Sequence, residues 1–423
     1  MSDYDELLKL IGTSSIVLIG EASHGTHELY KSRADITRRL IQECGFNVVA
    51  AEADWPDSWM VNSYIKGQGS SKSANEALSG FQRFPTWMWR NADVLAFVEW
   101  LKKYNDSIPA YDDKVGFYGL DLYSLYRSAF AVVDCLNAYD PQSALRAREL
   151  YSCLWSYGPT EQHYGYAASL GLTKTCEENV IKELTALQSM QSNFLKHDGR
   201  LASDDHFFAE QNARVVANAQ AYYREMFRGR VSTWNLRDSH MVDTLFQLRK
   251  HLLRNGQHMK AVVWAHNSHL GDARATEMGS RGEHNIGQLV REHCGNDCKL
   301  IGFSTFAGTV TASSSWAGTA ERKTVNDGLY GSYEHLFNTV DLPAFQLDLG
   351  QPEISQLLSS PRLQRAIGVI YLPQTERISH YFAAKLSEQF DMFFHFQETQ
   401  AVEPMEKTSR WVSGDDRVEQ TID

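Results

Sequence analysis

Two short segments of the chain concentrate residue types that move protons. The first is Gly20-Glu21-Ala22-Ser23-His24-Gly25-Thr26-His27-Glu28, and the second is His266-Asn267-Ser268-His269. A histidine held by a carboxylate can take a proton from water or an alcohol near neutral pH. Glu21 and Glu52 are the candidate carboxylates for His24, where two acidic neighbours would raise the imidazole pKa and fix its tautomer. Arg33, nine positions after His24, and the second imidazole His266 could stabilise a developing oxyanion. His269 would support the wall of such a site. Glycines before and after Glu21–His24 permit a tight turn there.

Other chemistries compete for the same residues. His24-x-x-His27 and His266-x-x-His269, with Glu21 and Glu52, supply enough donors for zinc or manganese, so a metal-assisted hydrolase is the alternative. Neither pair sits in the His-Glu-x-x-His pattern of metalloproteases, so no metal or other cofactor is expected. Ser23 is the one hydroxyl beside the base that could act as a nucleophile. No Gly-x-Ser-x-Gly elbow, phosphate loop or Gly-x-Gly-x-x-Gly fingerprint occurs, which makes direct attack by water the more economical route. An alcohol in place of water would give acyl transfer or lactonisation, and a non-enzymatic reading has the histidines hold haem or a small ligand.

These residues need a frame. Apolar, β-branched runs bounded by turn residues recur at Ser15–Gly20, Asn47–Ala53, Lys114–Leu122, Ala261–His266, Leu300–Phe306 and Ile367–Leu372. Continuous rather than alternating runs predict strands covered on both faces. HELYKSRADITRRLIQEC between the first two has helical periodicity, and Gly45 is its expected stop. The expected fold is therefore α/β: a mostly parallel central sheet flanked by helices, with a mainly helical insertion or cap over 140–255 between the two halves of one 1–423 domain. Helices are expected near Gln142–Trp155, Lys174–Leu195 and Asp205–Leu253, the last broken at Arg228–Arg230. Ligands in open α/β sheets bind at the carboxyl ends of strands, which is where Glu21, Glu52 and His266 fall.

Composition narrows the partners. The 423 residues are 43% hydrophobic and 22% charged, ordinary for a globular protein. With 41 Lys and Arg against 52 Asp and Glu the net charge is −11, which disfavours nucleic acid. The start MSDYDELLKLIG lacks a signal peptide's charge and apolar pattern, and no run approaches the roughly 20 apolar residues of a membrane span. Six scattered cysteines read as reduced thiols, so a cytoplasmic protein with no membrane partner is expected. Nothing demands an oligomer; a monomer suffices.

With these residues in hand, the chain resembles the erythromycin esterase family. The resemblance rests on GEASHGTHE at Gly20–Glu28, Arg33, AEADWP at Ala51–Pro56 and WAHNSHLGD at Trp264–Asp272. It continues through FPTWMWRN at Phe84–Asn91, TWNLRDSHM at Thr233–Met241, NIGQLVRE at Asn285–Glu292 and HFQETQAVEP at His395–Pro404. It implies a metal-independent hydrolase that opens macrocyclic lactones, with His24 as general base and Glu21 and Glu52 as its carboxylate neighbours. Arg33, His266 and His269 match the remaining active-site polar groups. The substrate implied is a small-molecule ester or lactone, and long helices such as those of 140–255 are where its choice would be set.

Several further residues have two readings. Trp87 and Trp89 either wall an apolar pocket or pin a loop to the core. Trp55 and Tyr123 are further candidates to line an apolar cleft. Asp121 either caps the helix that follows or faces the cleft with Tyr123. Of the adjacent Arg237 and Asp238, one should reach the cleft. Tyr157–Gly171, with His163, Tyr164 and Tyr166, reads as a mobile lid or an exposed connector. The acidic tail DRVEQTID reads as a frayed end.

Overall fold

The computed structural model describes residues 4–171, 176–227 and 229–414, and the backbone alone over 191–202. Two compact units emerge, one of Met1–Val49, Ser63–Gly116 and Lys260–Asp423, the other of Ala50–Asn62 and Phe117–Met259. The chain passes between them inside strand β2 (Val48–Asp54). The fold is α/β with a mostly parallel central sheet, as the apolar runs predict.

In the first unit, β1 (Ile16–Ile19) lies between β4 (Ala261–Trp264) and β5 (Cys298–Ala312), parallel to both, with Ile16 opposite Ala261 and Cys298. All four β1 side chains are buried, as a strand covered on both faces requires. β10 (Met392–Thr399) continues the parallel order on β5, and β7 (Ala344–Asp348) closes it antiparallel. β6 (Glu321–Val325) pairs with the outer half of β5, and β8 (Arg362–Arg365) with β9 (Tyr381–Ala384) forms a separate pair. The helix His27–Cys44 ends at Gly45 in the left-handed conformation. Its buried Leu29, Ile36, Leu40 and Ile41 mark the face read from the sequence.

The expected strand at Ile367–Leu372 is not one. Ile367 and Ile370 make only isolated bridges, to Ser23 and Ser313. The sheet position goes instead to Met392–Thr399, whose His395 and Gln397 interrupt an otherwise apolar run.

The second unit carries most of β2, nearly all of β3 (Gly116–Asp121), and helices Leu125–Tyr139, Pro141–Trp155, Glu161–Ser169, Glu177–Ser189, Gln191–Glu225 and Arg230–Arg254. Helix thus begins at Leu125, earlier than the expected 140. Asp140 caps Pro141–Trp155 through the Gln142 and Ser143 amides, with Pro141 at the first turn where its missing N–H costs nothing. The expected break near Arg228–Arg230 falls between Glu225 and Arg230. Lys174, Arg228 and the DRVEQTID tail lie outside the described residues.

Two expectations need correction. Tyr157–Gly171 is no open lid: it contains the helix Glu161–Ser169, and Tyr164 is fully buried with its hydroxyl donating to Gln220. Cys153 and Cys176 are not reduced thiols but a disulfide that joins the helix Pro141–Trp155, which contains Cys153, to the residue capping Glu177–Ser189. Trp55 is also core, packed against Phe207 at 5.6 Å with its indole N–H on the Phe208 carbonyl.

Candidate active site

The first-unit cluster begins where β1 ends. At Gly20 a side chain would strike the Asn267 amide oxygen, and at Gly25 it would land on the Thr311 carbonyl. These two close approaches explain why glycines bracket the loop. Asn267 ties the strand ends together: its backbone N–H donates to the Glu21 carbonyl and its side-chain amide to the Phe303 carbonyl. Tyr30, one turn into the following helix, donates its hydroxyl to the His24 carbonyl at 2.9 Å.

Inside that frame Glu21, 1% exposed, serves two partners. Its Oε1 lies 2.8 Å from His24 Nδ1, and its Oε2 lies 3.0 Å from Arg33 Nη1. Arg33 faces inward and is fully buried, its guanidinium 4.5 Å over the Tyr30 ring and 4.7 Å over the Trp264 ring. Because Nδ1–H of His24 donates to the carboxylate, the lone pair of the neutral ring sits on Nε2. His266 is built the other way round. Its Nδ1 accepts from the Ser268 N–H at 3.2 Å and lies 2.8 Å from the Ser268 hydroxyl, which puts the ring proton on Nε2. The two rings are 4.9 Å apart between centroids. One buried face therefore presents a basic nitrogen beside a donor N–H.

Other members of the first unit separate from this pair. His27 turns to Asp93 at 2.9 Å rather than joining His24, and that hydrogen bond raises its pKa. Ser23 is buried and its hydroxyl bonds to Thr26. His269 is buried in the short helix Asn267–Leu270. Trp87 and Trp89 are buried, Trp87 in a single 3-10 turn and Trp89 against Phe81, which is the loop-pinning role. Among the described residues no three His, Cys, Asp or Glu side chains converge in a metal-ligand arrangement.

The second-unit cluster joins Glu52, Asp121, Tyr123 and Arg237. Arg237 Nη2 is 2.7 Å from both Glu52 Oε1 and Asp121 Oδ2, and Nε is 3.0 Å from Asp121 Oδ1. The guanidinium lies 4.6 Å over the Tyr123 ring, whose hydroxyl meets Tyr222 at 3.2 Å. Asp121 is thus no helix cap: Ser124 precedes the helix Leu125–Tyr139, and Asp121 accepts from Leu122 N–H besides Arg237. Sequence reading left Arg237 and Asp238 undivided; Arg237 takes the two carboxylates and Asp238 is fully buried. Burial alone would pull the Arg237 pKa down, but Asp121, Tyr123 and Glu52 hold it well above its usual range.

Comparison with known proteins bears on what these clusters are. The sequence profile described as erythromycin esterase matches residues 41–399, most of the chain. The chain belongs to the erythromycin esterase family. That match includes Glu52, Asp121, Arg237 and His266 and starts after Glu21, His24 and Arg33. Among curated relatives, erythromycin esterase type II of Escherichia coli is 21% identical over 320 residues, covering 73% of each chain. A succinoglycan biosynthesis protein of known structure superposes with a TM-score of 0.75 at 23% identity, covering 95% of this chain and 92% of that one. A variant of the erythromycin esterase EreC, solved in its open conformation, superposes with a TM-score of 0.64 at 19% identity and 95% coverage of both. These likenesses agree with the fold, and family membership supports a hydrolase of the macrolide-esterase type. No helix among the described residues is long and apolar enough to cross a membrane.

Proposed function

We propose that this protein hydrolyses a carboxylic ester or lactone of a bulky, mostly apolar small molecule, with water activated by His24 and no metal. One observation carries the reading: His24 and His266 stand side by side with Nδ1 partners of opposite kind, a carboxylate for His24 and an N–H donor for His266, which call for opposite tautomers. In this mechanism His24 Nε2 takes a proton from water as the oxygen attacks the carbonyl carbon. Glu21 holds the ring by Nδ1–H and stabilises the imidazolium that forms. The His266 Nε2–H donates to the tetrahedral oxyanion, and Arg33 holds the other Glu21 oxygen from its buried seat. Collapse expels the alkoxide, which recovers the proton from His24, giving an acid and an alcohol; in a lactone the two stay on one molecule. His269, buried in the short helix that follows His266, helps shape the site.

The test is a panel of macrolides, simpler lactones and linear esters incubated with the protein and followed by mass spectrometry. The expected product of a lactone is heavier by one water, and it should form unchanged after dialysis against a chelator. Replacement H24N should slow turnover about 10²- to 10⁴-fold with the fold intact. Turnover by H24N at the wild-type rate would overturn the mechanism, and failure on macrolides alone would move the substrate to another lactone or ester.

A further inference from the structure

Glycines of the first unit mostly have a local reason to be glycine. Gly20 and Gly25 are pressed against neighbouring atoms, and Gly45 and Gly331 take left-handed φ values. Gly368 has neither reason: its φ is outside the left-handed region, and the first carbon of a side chain there would meet nothing within 4 Å. Glycine in an extended segment costs stability relative to alanine, and where sterics do not demand it another group comes close to the backbone.

The backbone pairing shows where that open space lies. The Ile367 N–H donates to the Ala22 carbonyl at 2.9 Å, and the His24 N–H donates to the Ile367 carbonyl at 3.3 Å, so Ser23 and Ile367 are partners in a parallel bridge. Such partners turn their side chains to the same face, and the residues after them turn to the other. Ser23 and Ile367 face inward: Ser23 bonds to Thr26, and Ile367 packs with Val310, Ala312, Val325 and Tyr371. His24 and Gly368 are therefore neighbours on the opposite face, one strand spacing of about 4.8 Å apart. The segment is held firmly. Arg365 donates to the Phe306 carbonyl at 2.9 Å and the Asn326 carbonyl at 2.7 Å, and the Tyr371 N–H donates to the Ser313 carbonyl at 3.0 Å. All of these residues belong to the first unit.

We propose that Gly368 is a specificity-determining residue of the hydrolytic site: its missing side chain leaves room beside His24 for the bulky flank of the ester or lactone next to the attacked carbonyl. The proposal rests on the reading above for the reaction at His24, but the placement of Gly368 beside that ring does not. A side chain at this position would fill the space without striking the frame. It would narrow the choice of substrate rather than unfold the loop, and alanine fits such a φ without strain.

The experiment compares wild type with G368A, G368V and G368F. Tm is measured, together with kcat/KM on the bulkiest lactone that wild type opens and on a short linear ester. Imidazole spectra of 15N-histidine-labelled protein are recorded alongside, with His24 assigned by H24N. Tm should stay within a few degrees of wild type. The ratio of kcat/KM for the bulky lactone to that for the short ester should fall as the new side chain grows, by at least about 10-fold in G368F, through a rise in KM. The ring introduced by G368F should also move the His24 imidazole signals. A wild-type ratio in folded G368F, or unmoved His24 signals, would overturn the proposal. A Tm lowered by more than a few degrees in G368A would overturn it as well, because the position would then be packed. If G368F does not fold, G368V decides by the same ratio. If H24N keeps the wild-type rate, it is the hydrolase reading that fails, and the His24 signals in G368F still decide whether Gly368 stands beside the ring.

Discussion

The two polar clusters are inversions of each other. In the first, one carboxylate, Glu21, is shared by an imidazole and a guanidinium; in the second, one guanidinium, Arg237, is shared by two carboxylates. The difference decides what each can do. Of the partners of Glu21, the Arg33 guanidinium offers donors alone, whereas the His24 imidazole has a second ring nitrogen that can accept a hydrogen bond. Around Arg237 the guanidinium bridges two carboxylates, one from each of two strand ends. The first cluster thus leaves one ring nitrogen of His24 outside its ion pair, while in the second the guanidinium is the shared group.

The largest expected effect comes from removing the shared residue of the first cluster. E21Q frees the His24 ring to rotate and leaves Arg33, fully buried, without its carboxylate. Unpairing a buried charge costs about 3–5 kcal/mol, and loss of the oriented base costs about 10²- to 10⁴-fold in kcat. Urea unfolding and initial rates measure both; a change below about 1 kcal/mol would mean that Arg33 does not depend on Glu21, and the contrast with Arg237 would fail. Next comes G25A. Its Cβ would be driven into the Thr311 carbonyl, so the loop carrying His24 must shift, at about 1–3 kcal/mol with a matching fall in Tm. Activity should fall with it, whereas an alanine that leaves Tm unchanged would show that the loop is not clamped.

A smaller effect concerns pH. Burial pushes His380 and His395 of the first unit and His240 of the second down to about 4. An unfolded histidine titrates near about 6.5, so below that the unfolded chain binds protons the folded one does not. The stability these residues contribute is therefore complete above about pH 6.5 and declines as pH falls towards 4, by up to about 3 kcal/mol each. His27 runs the opposite way: its pKa is raised by Asp93, so its contribution is present below about 6.5 and lost as pH rises through the raised value. With its side chain 40% exposed, that contribution is the weakest. Unfolding free energy measured from pH 7 to 4 should fall, and H240Q should flatten its share of the slope. An unchanged slope in H240Q would mean that this histidine is already protonated or solvated.

Much of the first cluster is legible in the sequence because its parts are local. Glu21 and His24 are three residues apart in a loop bracketed by Gly20 and Gly25, and His266 ends an apolar run where an α/β sheet places ligands. The second cluster is long-range, so its strand-end acids can be flagged while their partner cannot. Arg237 and Asp238 look alike on paper; only packing across more than a hundred residues separates them. Ile367–Leu372 misleads for a related reason. Its composition is that of a strand, but strand pairing belongs to the neighbour as much as to the segment, and β5 is paired by Met392–Thr399 instead. Cys153 and Cys176 likewise give no local sign of their pairing. Asn267, which ties Glu21 to β5, is visible only as the residue beside a suspected histidine, and the collision it would have with a side chain at Gly20 is the physical signal that spacing cannot carry.

The central claim is that the two histidines of the first cluster are opposite tautomers, and 15N NMR of histidine-labelled protein reads this directly. At a pH where both rings are neutral, His24 should carry its proton on Nδ1 and His266 on Nε2, and E21Q should abolish the His24 preference. A His24 ring protonated on Nε2 in the wild-type protein would contradict the account, because the nitrogen assigned to water activation would have no lone pair to offer.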